Sequence, residues 1–341
     1  MKSFRAKVYL LISITITITT FNRAYSYISK DESKIPHDVL NNTTISNGLT
    51  RYRTGIDSYM QKLYKDEAKS CGKSRSPAYQ CSGLLIHGLK LDEQESPWSH
   101  RPIDENKSVA FSYLRTDHKF SSPVYYHYDS GIVFYPLDNL PAGKEKYSVL
   151  CAYPMDGRTD DRKDHNMGCG PYSYSLLSSE SKREIENITY ENNSGNCLDY
   201  HLDTVNKWVD FHKKRKYLDK LRLLTLYTCS YPMVDSKTNT ASFNLLSGIR
   251  RYLEKNNQKL HYWNNELLIS AWDSKYPEKL PVMAIFYTKE NTASLNAALL
   301  YQRAFFDRIN KIIPIVGIKF PEENGENEND DTAEFSEYLS R

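Results

Sequence analysis

All six cysteines of this chain (71, 81, 151, 169, 197 and 229) fall after residue 70. An even count in an exported chain reads as a disulfide framework, and such a framework forces distant segments into contact. The N-terminus supports export. Lys2, Arg5 and Lys7 form a basic region, and residues 8–21 (VYLLISITITITTF) form an apolar, threonine-softened core. Ala24-Tyr25-Ser26 then fits the small-x-small cleavage pattern. That core is short for a membrane span, so residues 1–26 read as a signal peptide, with a signal anchor as the alternative. The expected destination is outside the cell, by way of a periplasm in a Gram-negative host. No membrane span is expected after the leader is removed. Cys71 and Cys81 close a short loop and make the first pair; the other four allow three pairings. Zinc is the rival use of cysteine. No C-x2-C and no H-x3-5-H lies near a cysteine, so no metal is expected.

Charge excludes little and implies less. The leader holds four of the 45 bases (Lys2, Arg5, Lys7 and Arg23) and no acid, which leaves 41 bases against 42 acids. A near-neutral chain does not call for a nucleic-acid partner. Residues 27–48 are polar and read as a flexible lead. Residues 321–341 hold eight acids and one base, the composition of a solvated, disordered tail. Between them, residues 49–320 read as a single domain.

Within that domain, Ile56, Tyr59, Met60, Leu63 and Tyr64 recur at helical spacing and predict an amphipathic helix over 50–69. Helices are also predicted at 243–255 and 294–309. Strands are predicted at 83–87, 108–114, 130–137, 147–153, 262–272, 281–288 and 312–320 from β-branched and aromatic content. Residues 155–196 read as a long surface loop held by Cys169 and Cys197. Strands and helices mix without strict alternation, so the fold class is α+β.

Three strand fragments carry chemistry. In LLIHG, His87 ends an apolar strand and Gly88 follows; a glycine there admits a flat ligand or another backbone. In AFSYLR, Phe111 and Tyr113 share one strand face and Ser112 takes the other. In NNELLI, Asn264 and Glu266 are two apart and share a face. A carboxyl group facing inward from an apolar strand needs a partner. Each fragment alone also fits an ordinary half-buried strand. MDGRTDDR (155–162) is a further polar cluster, read as a turn rich in Asx bonds, with a metal or phosphate site as the alternative.

Together the fragments resemble mono-ADP-ribosyltransferases, which carry Arg-Gly or His-Gly at the end of a first strand. A second strand of that family bears Ser-Thr-Ser or a tyrosine, and a later one bears Glu. Over roughly residues 55–320 the chain more closely resembles the halovibrins, secreted bacterial proteins described as ADP-ribosyltransferases. The shared strings are CSGLLIHG, SVAFSYLRTDHKF, SGIVFYP, CAYPMDGRTDDR, GCG, NNELLISAW and IPIVGIKF, with six cysteines in the same order. The resemblance implies an ADP-ribosyltransferase-like mixed or antiparallel β core with flanking helices and a disulfide-held loop. It implies a toxin-like enzyme with NAD as substrate and a protein or small-molecule acceptor. Glu266 would be catalytic, stabilising positive charge on the ribose. His87 would bind the adenosine ribose, Gly88 would admit the dinucleotide, and Ser112 would position His87 or Glu266. Tyr113, or one of Tyr125, Tyr126 and Tyr128, would hold the nicotinamide ring. Arg115 would reach the pyrophosphate or else pair with Asp117 at the surface. Three departures stand out. His87 stands where the family often has Arg, Phe-Ser-Tyr stands in place of Ser-Thr-Ser, and Asn264 stands where the family often has Gln, which bears on target choice and opens transfer to water. A non-enzymatic host-binding protein and a secreted hydrolase or nuclease using His87 with Glu266 are the competing expectations.

Overall fold

The computed structural model describes residues 54–72, 75–89, 96–99, 108–121, 129–162, 166–170, 195–219, 224–225, 228–233, 236–256, 260, 263–289, 291–322 and 332–339. The leader, the 27–48 lead and Tyr125, Tyr126 and Tyr128 lie outside them. Gly55 to Tyr338 forms one compact unit; the other unit, residues 1–54 with 339–341, is almost wholly outside the described residues.

The first helix, α1 (Ile56–Lys65), buries Ile56, Met60, Leu63 and Tyr64 on one side. It is shorter than its apolar spacing predicts, because the chain enters through Gly55 at a φ of 75° and leaves at extended Asp66. A small hairpin follows, β1 (Ser70–Cys71) against β2 (Ser76–Pro77). The main sheet then takes β3 (Leu84–Gly88), β4 (Ser108–Leu114), β5 (Ser130–Phe134) and β6 (Val149–Tyr153). Helix α2 (Val205–Lys214), strand β7 (Tyr231–Pro232) and helix α3 (Ser236–Asn256) lead to β8 (Glu266–Ser270) and β9 (Val282–Thr288). Helix α4 (Thr292–Ile309) returns the chain to β10 (Ile315–Lys319), and β11 (Glu334–Glu337) ends it. Among the described residues the sheet has nine strands in the order β11-β10-β9-β5-β3-β4-β8-β6-β7. Neighbours run antiparallel except β9 and β10, the pair that α4 connects. A largely antiparallel sheet with helices on its faces is an α+β architecture, as the sequence predicts.

Period-two alternation sorts the strands into two cores. Leu85, Phe111, Tyr113, Ile132 and Phe134 face α3 and α4, packing with Phe243, Leu246, Ile249 and Phe305. Leu84, Ile86, Leu114 and Val133 face α1, packing with Met60, Leu63 and Tyr64.

Helix α2 was not legible as an element, although Trp208, Val209 and His212 give it a buried stripe. The predicted acidic tail is corrected in part. Residues 334–337 form an edge strand on β10. Phe335 lies 5.7 Å from Tyr64 in ring centroids, and the Tyr64 hydroxyl accepts from Ala333 N at 3.1 Å. One ring contact and one hydrogen bond to Tyr64 hold this short span despite its acidic composition. Both sheet edges are protected: Pro232 blunts β7, and Glu334 and Glu337 charge β11.

Three disulfides bind the unit: Cys71–Cys81, Cys151–Cys169 and Cys197–Cys229. The first is the pair expected from spacing. The others tie the two ends of the long 155–196 excursion to β6 and to the segment before β7.

The ladder between β4 and β8 is extended by a side chain. Tyr113 N donates to Asn265 Oδ1 at 2.7 Å, and Asn265 Nδ2 donates to Tyr113 O at 2.8 Å. The amide thus stands in for a backbone pair, fully buried. Asn265→Ala leaves a buried N–H and C=O unmet, and urea denaturation should show a loss of about 2–4 kcal/mol. A loss below about 1 kcal/mol would mean that water meets both groups.

Candidate functional site

The sheet opens at His87. The β3–β4 ladder pairs Leu84 with Leu114, Leu85 with Tyr113 and Ile86 with Ser112, and there it stops. Continued, it would pair Gly88 with Ala110. Instead His87 Nδ1 bonds Ala110 O at 2.7 Å, and the imidazole stacks on Phe111 at 5.0 Å. A carbonyl only accepts, so Nδ1 carries the proton. The ring takes the place of a peptide group and holds the two strands apart. β3 remains paired with β5, Gly88 opposite Gly131. A Cβ on Gly131 would meet His87 O at 2.0 Å and Gly88 Cα at 2.9 Å, so these glycines permit a close approach of two backbones. Leu89 N bonds Ser130 O on the β5 side. By strand parity, the Gly88 peptide groups turn the other way, into the gap.

One row of side chains crosses the sheet beside that gap. Tyr153 pairs with Glu266, and Ile86 pairs with Ser112. The β4–β8 register, Phe111 with Leu267, carried one residue further sets Ser112 opposite Glu266. Glu266, Ser112 and Ile86 therefore share a face with Gly88, and Asn264 Nδ2 donates to Ser112 Oγ at 3.4 Å. His87 and Tyr113 belong to the opposite face. The expectation that His87, Ser112 and Glu266 converge is corrected: alternation along β3 sends His87 to Phe111, away from Ser112. Tyr113 is corrected as well. It is fully buried against His118 and Phe243, and its hydroxyl donates to Ser82 O at 3.0 Å, so its ring has no face for nicotinamide. On the His87 face, half-buried Trp272 stands edge-on to Phe111, the ring on which His87 stacks, with its indole N–H on Trp98 O at 2.8 Å. Only the tertiary fold brings Trp98 and Trp272 there; no motif marks them.

Glu266 is 5 % exposed and has the partners that its burial requires. Gly157 N donates to Oε2 at 2.6 Å, and the Thr159 hydroxyl donates to Oε1. Both donors come from the MDGRTDDR segment, where Arg158 N bonds Asp156 Oδ1 at 2.8 Å in the expected Asx turn. Arg162, fully buried, completes the cluster. Its Nε donates to Gly157 O at 2.6 Å, Nη1 to Gly170 O at 2.8 Å and Nη2 to Thr228 O at 2.9 Å. Its guanidinium also lies 5.0 Å from the Tyr153 ring centroid.

A second polar cluster sits where the sequence suggests a surface pair. Arg115 does pair with Asp117, through Nε at 2.6 Å and Nη2 at 2.7 Å, but its side chain is buried and also donates to Ser82 Oγ at 2.9 Å. It braces the core and does not present its charge to a pyrophosphate. His118 Nδ1 bonds Asp117 Oδ1 at 2.9 Å, and Nε2 lies 3.4 Å from Ser247 Oγ. Ser, His and Asp thus line up in the order of a nucleophilic triad. The Ser247 hydroxyl, however, donates to Phe243 O and is buried within α3, shut off from any substrate.

No protein-family model matches the chain, and no curated protein matches it.

Burial pulls the His118 imidazole below its ordinary 6.5, against the raising pull of Asp117. Unfolding therefore lets His118 take up a proton more easily, so its contribution is present above about pH 6.5 and is lost as pH falls below it. Stability should drop between pH 7 and pH 5, by up to about 1.4 kcal/mol per pH unit for this one group. Thermal melts of His118→Asn against the parent read it: the variant should lose that slope, and an unchanged slope would assign it to other groups.

Proposed function

We propose that this chain is a secreted, toxin-like mono-ADP-ribosyltransferase of the halovibrin kind, which cleaves NAD at the nicotinamide–ribose bond. The observation that supports this reading is the opening between β3 and β4, with the Gly88 peptide turned into it and Ser112, Asn264 and Glu266 on the face beside it. A planar carboxamide offers one donor and one acceptor, the match for the N–H and C=O that a continued ladder would have used. In this reading the C1′–N bond breaks and its electron pair leaves on nicotinamide. Glu266 stabilises the positive charge that develops on the ribose, and the nucleophile that attacks C1′, an acceptor group or water, gives up its proton. The Thr159 hydroxyl on Glu266 shows that the carboxyl group accepts from an alcohol, as a ribose 2′-hydroxyl would require. His87 keeps the gap open through Ala110. NAD is the substrate, the acceptor is a protein or small molecule, and three disulfides suit an oxidising compartment. Among the described residues no helix is long and apolar enough to cross a membrane.

One observation favours a non-enzymatic secreted binding protein on the same scaffold: both oxygens of Glu266 already have donors. Nicotinamide release by oxidised, leader-free protein separates the two. Glu266→Gln should keep its fold and lose about 100- to 1,000-fold in turnover. Full turnover in that variant would remove Glu266 from the reaction, and absence of both turnover and NAD binding in the parent would leave the binding protein.

A further inference from the structure

We propose that Arg162 is a positioning residue for Glu266 and acts through the backbone of Gly157. The kinetic half of this proposal rests on the NAD-cleaving reading; the structural half does not.

One residue links cation and carboxyl group. Arg162 Nε donates to the Gly157 C=O at 2.6 Å, and the Gly157 N–H, which belongs to the preceding peptide, donates to Glu266 Oε2 at 2.6 Å. The two peptides are planar and share the Gly157 Cα, so the guanidinium acts by position: with the carbonyl held, the plane that carries the N–H keeps its aim at Glu266. The guanidinium is itself clamped. It also donates to Gly170 O, next to Cys169, to Thr228 O, next to Cys229, and to Thr225 O at 3.4 Å. Those two cysteines are joined to Cys151 and Cys197. The cation is therefore fixed by two crosslinked segments, and the Gly157 N–H points where that frame sets it. Thr159, on the next turn of the same segment, fixes the second oxygen. A group held at both oxygens keeps one orientation, and a displacement of about 1 Å in such a group costs about 100-fold in rate. The Gly157 backbone has little freedom to compensate, since a Cβ there would meet the Tyr153 ring at 2.6 Å.

The test compares Arg162→Lys and Arg162→Gln with the parent, all oxidised. Two readouts are taken: the 13Cδ resonance of Glu266 in 13C-glutamate-labelled protein, assigned with Glu266→Gln, and kcat and KM for nicotinamide release from NAD. The expected result is a shifted Glu266 resonance in both variants. It comes with a fall in kcat of about 100-fold in Arg162→Gln, a smaller fall in Arg162→Lys, and an unchanged KM. A Glu266 resonance at the parental position in a folded variant overturns the proposal, as does a raised KM with kcat intact. A shifted resonance in a protein whose parent releases no nicotinamide upholds the positioning role and sinks the NAD reading. Failure of both variants to fold assigns Arg162 to the fold alone and also overturns the proposal.

Discussion

A carboxyl group on an apolar strand must be met by donors inside the protein or leave the interior, and Glu266 is met. Its two oxygens take Gly157 N and the Thr159 hydroxyl, and Arg162 anchors that segment. The demand radiates outward. Residues 156–162 and 166–170 lie against β6 and β8, which brings Cys169 to Cys151. Tyr153 then donates its hydroxyl to Gly168 O at 2.8 Å, and Ser108 donates to Met167 O at 2.8 Å from β4. A stretch that composition marks as surface loop thus includes a fully buried arginine.

His87 solves a different problem on the neighbouring strands. A sheet cannot simply lose one ladder rung in its middle, because the freed carbonyl would lack a donor. The imidazole supplies one to Ala110 O while keeping β4 away from Gly88. On the far side the Gly88–Gly131 pair lets β5 come close. The result is an opening on one edge of β3 and a tight seam on the other, built from three residues of a five-residue strand and its neighbour.

Much of this was legible in the sequence. The strands at β3, β4 and β9, the C-terminal helix and the Cys71–Cys81 pair follow from apolar content and spacing, which are local signals. The same holds for the face shared by Asn264 and Glu266, since parity is a local property. What was not legible depends on register. Whether His87 and Ser112 share a face is set by pairing Ile86 with Ser112, and nothing in LLIHG or AFSYLR states that pairing. Tyr113 is a candidate through the resemblance, by its place on the strand after His87; the fold sets it over Gly83, where a Cβ would come within 2.4 Å of its ring. The partners of Glu266 lie more than a hundred residues upstream, in a segment whose polarity reads equally well as surface.

The terminal strand has a bearing on the order in which the molecule is made. β11 lies on β10 and closes over α1, where Phe335 meets Tyr64, and Glu337 accepts from Gly55 N at 3.1 Å. The first helix of the unit therefore receives its cover from a strand 282 residues further along the chain. In synthesis from the N-terminus, α1 keeps its tyrosine uncovered until β11 has been made, so this part of the fold closes late. The oxidation of Cys71 to Cys81, ten residues apart and close to α1, has no such wait.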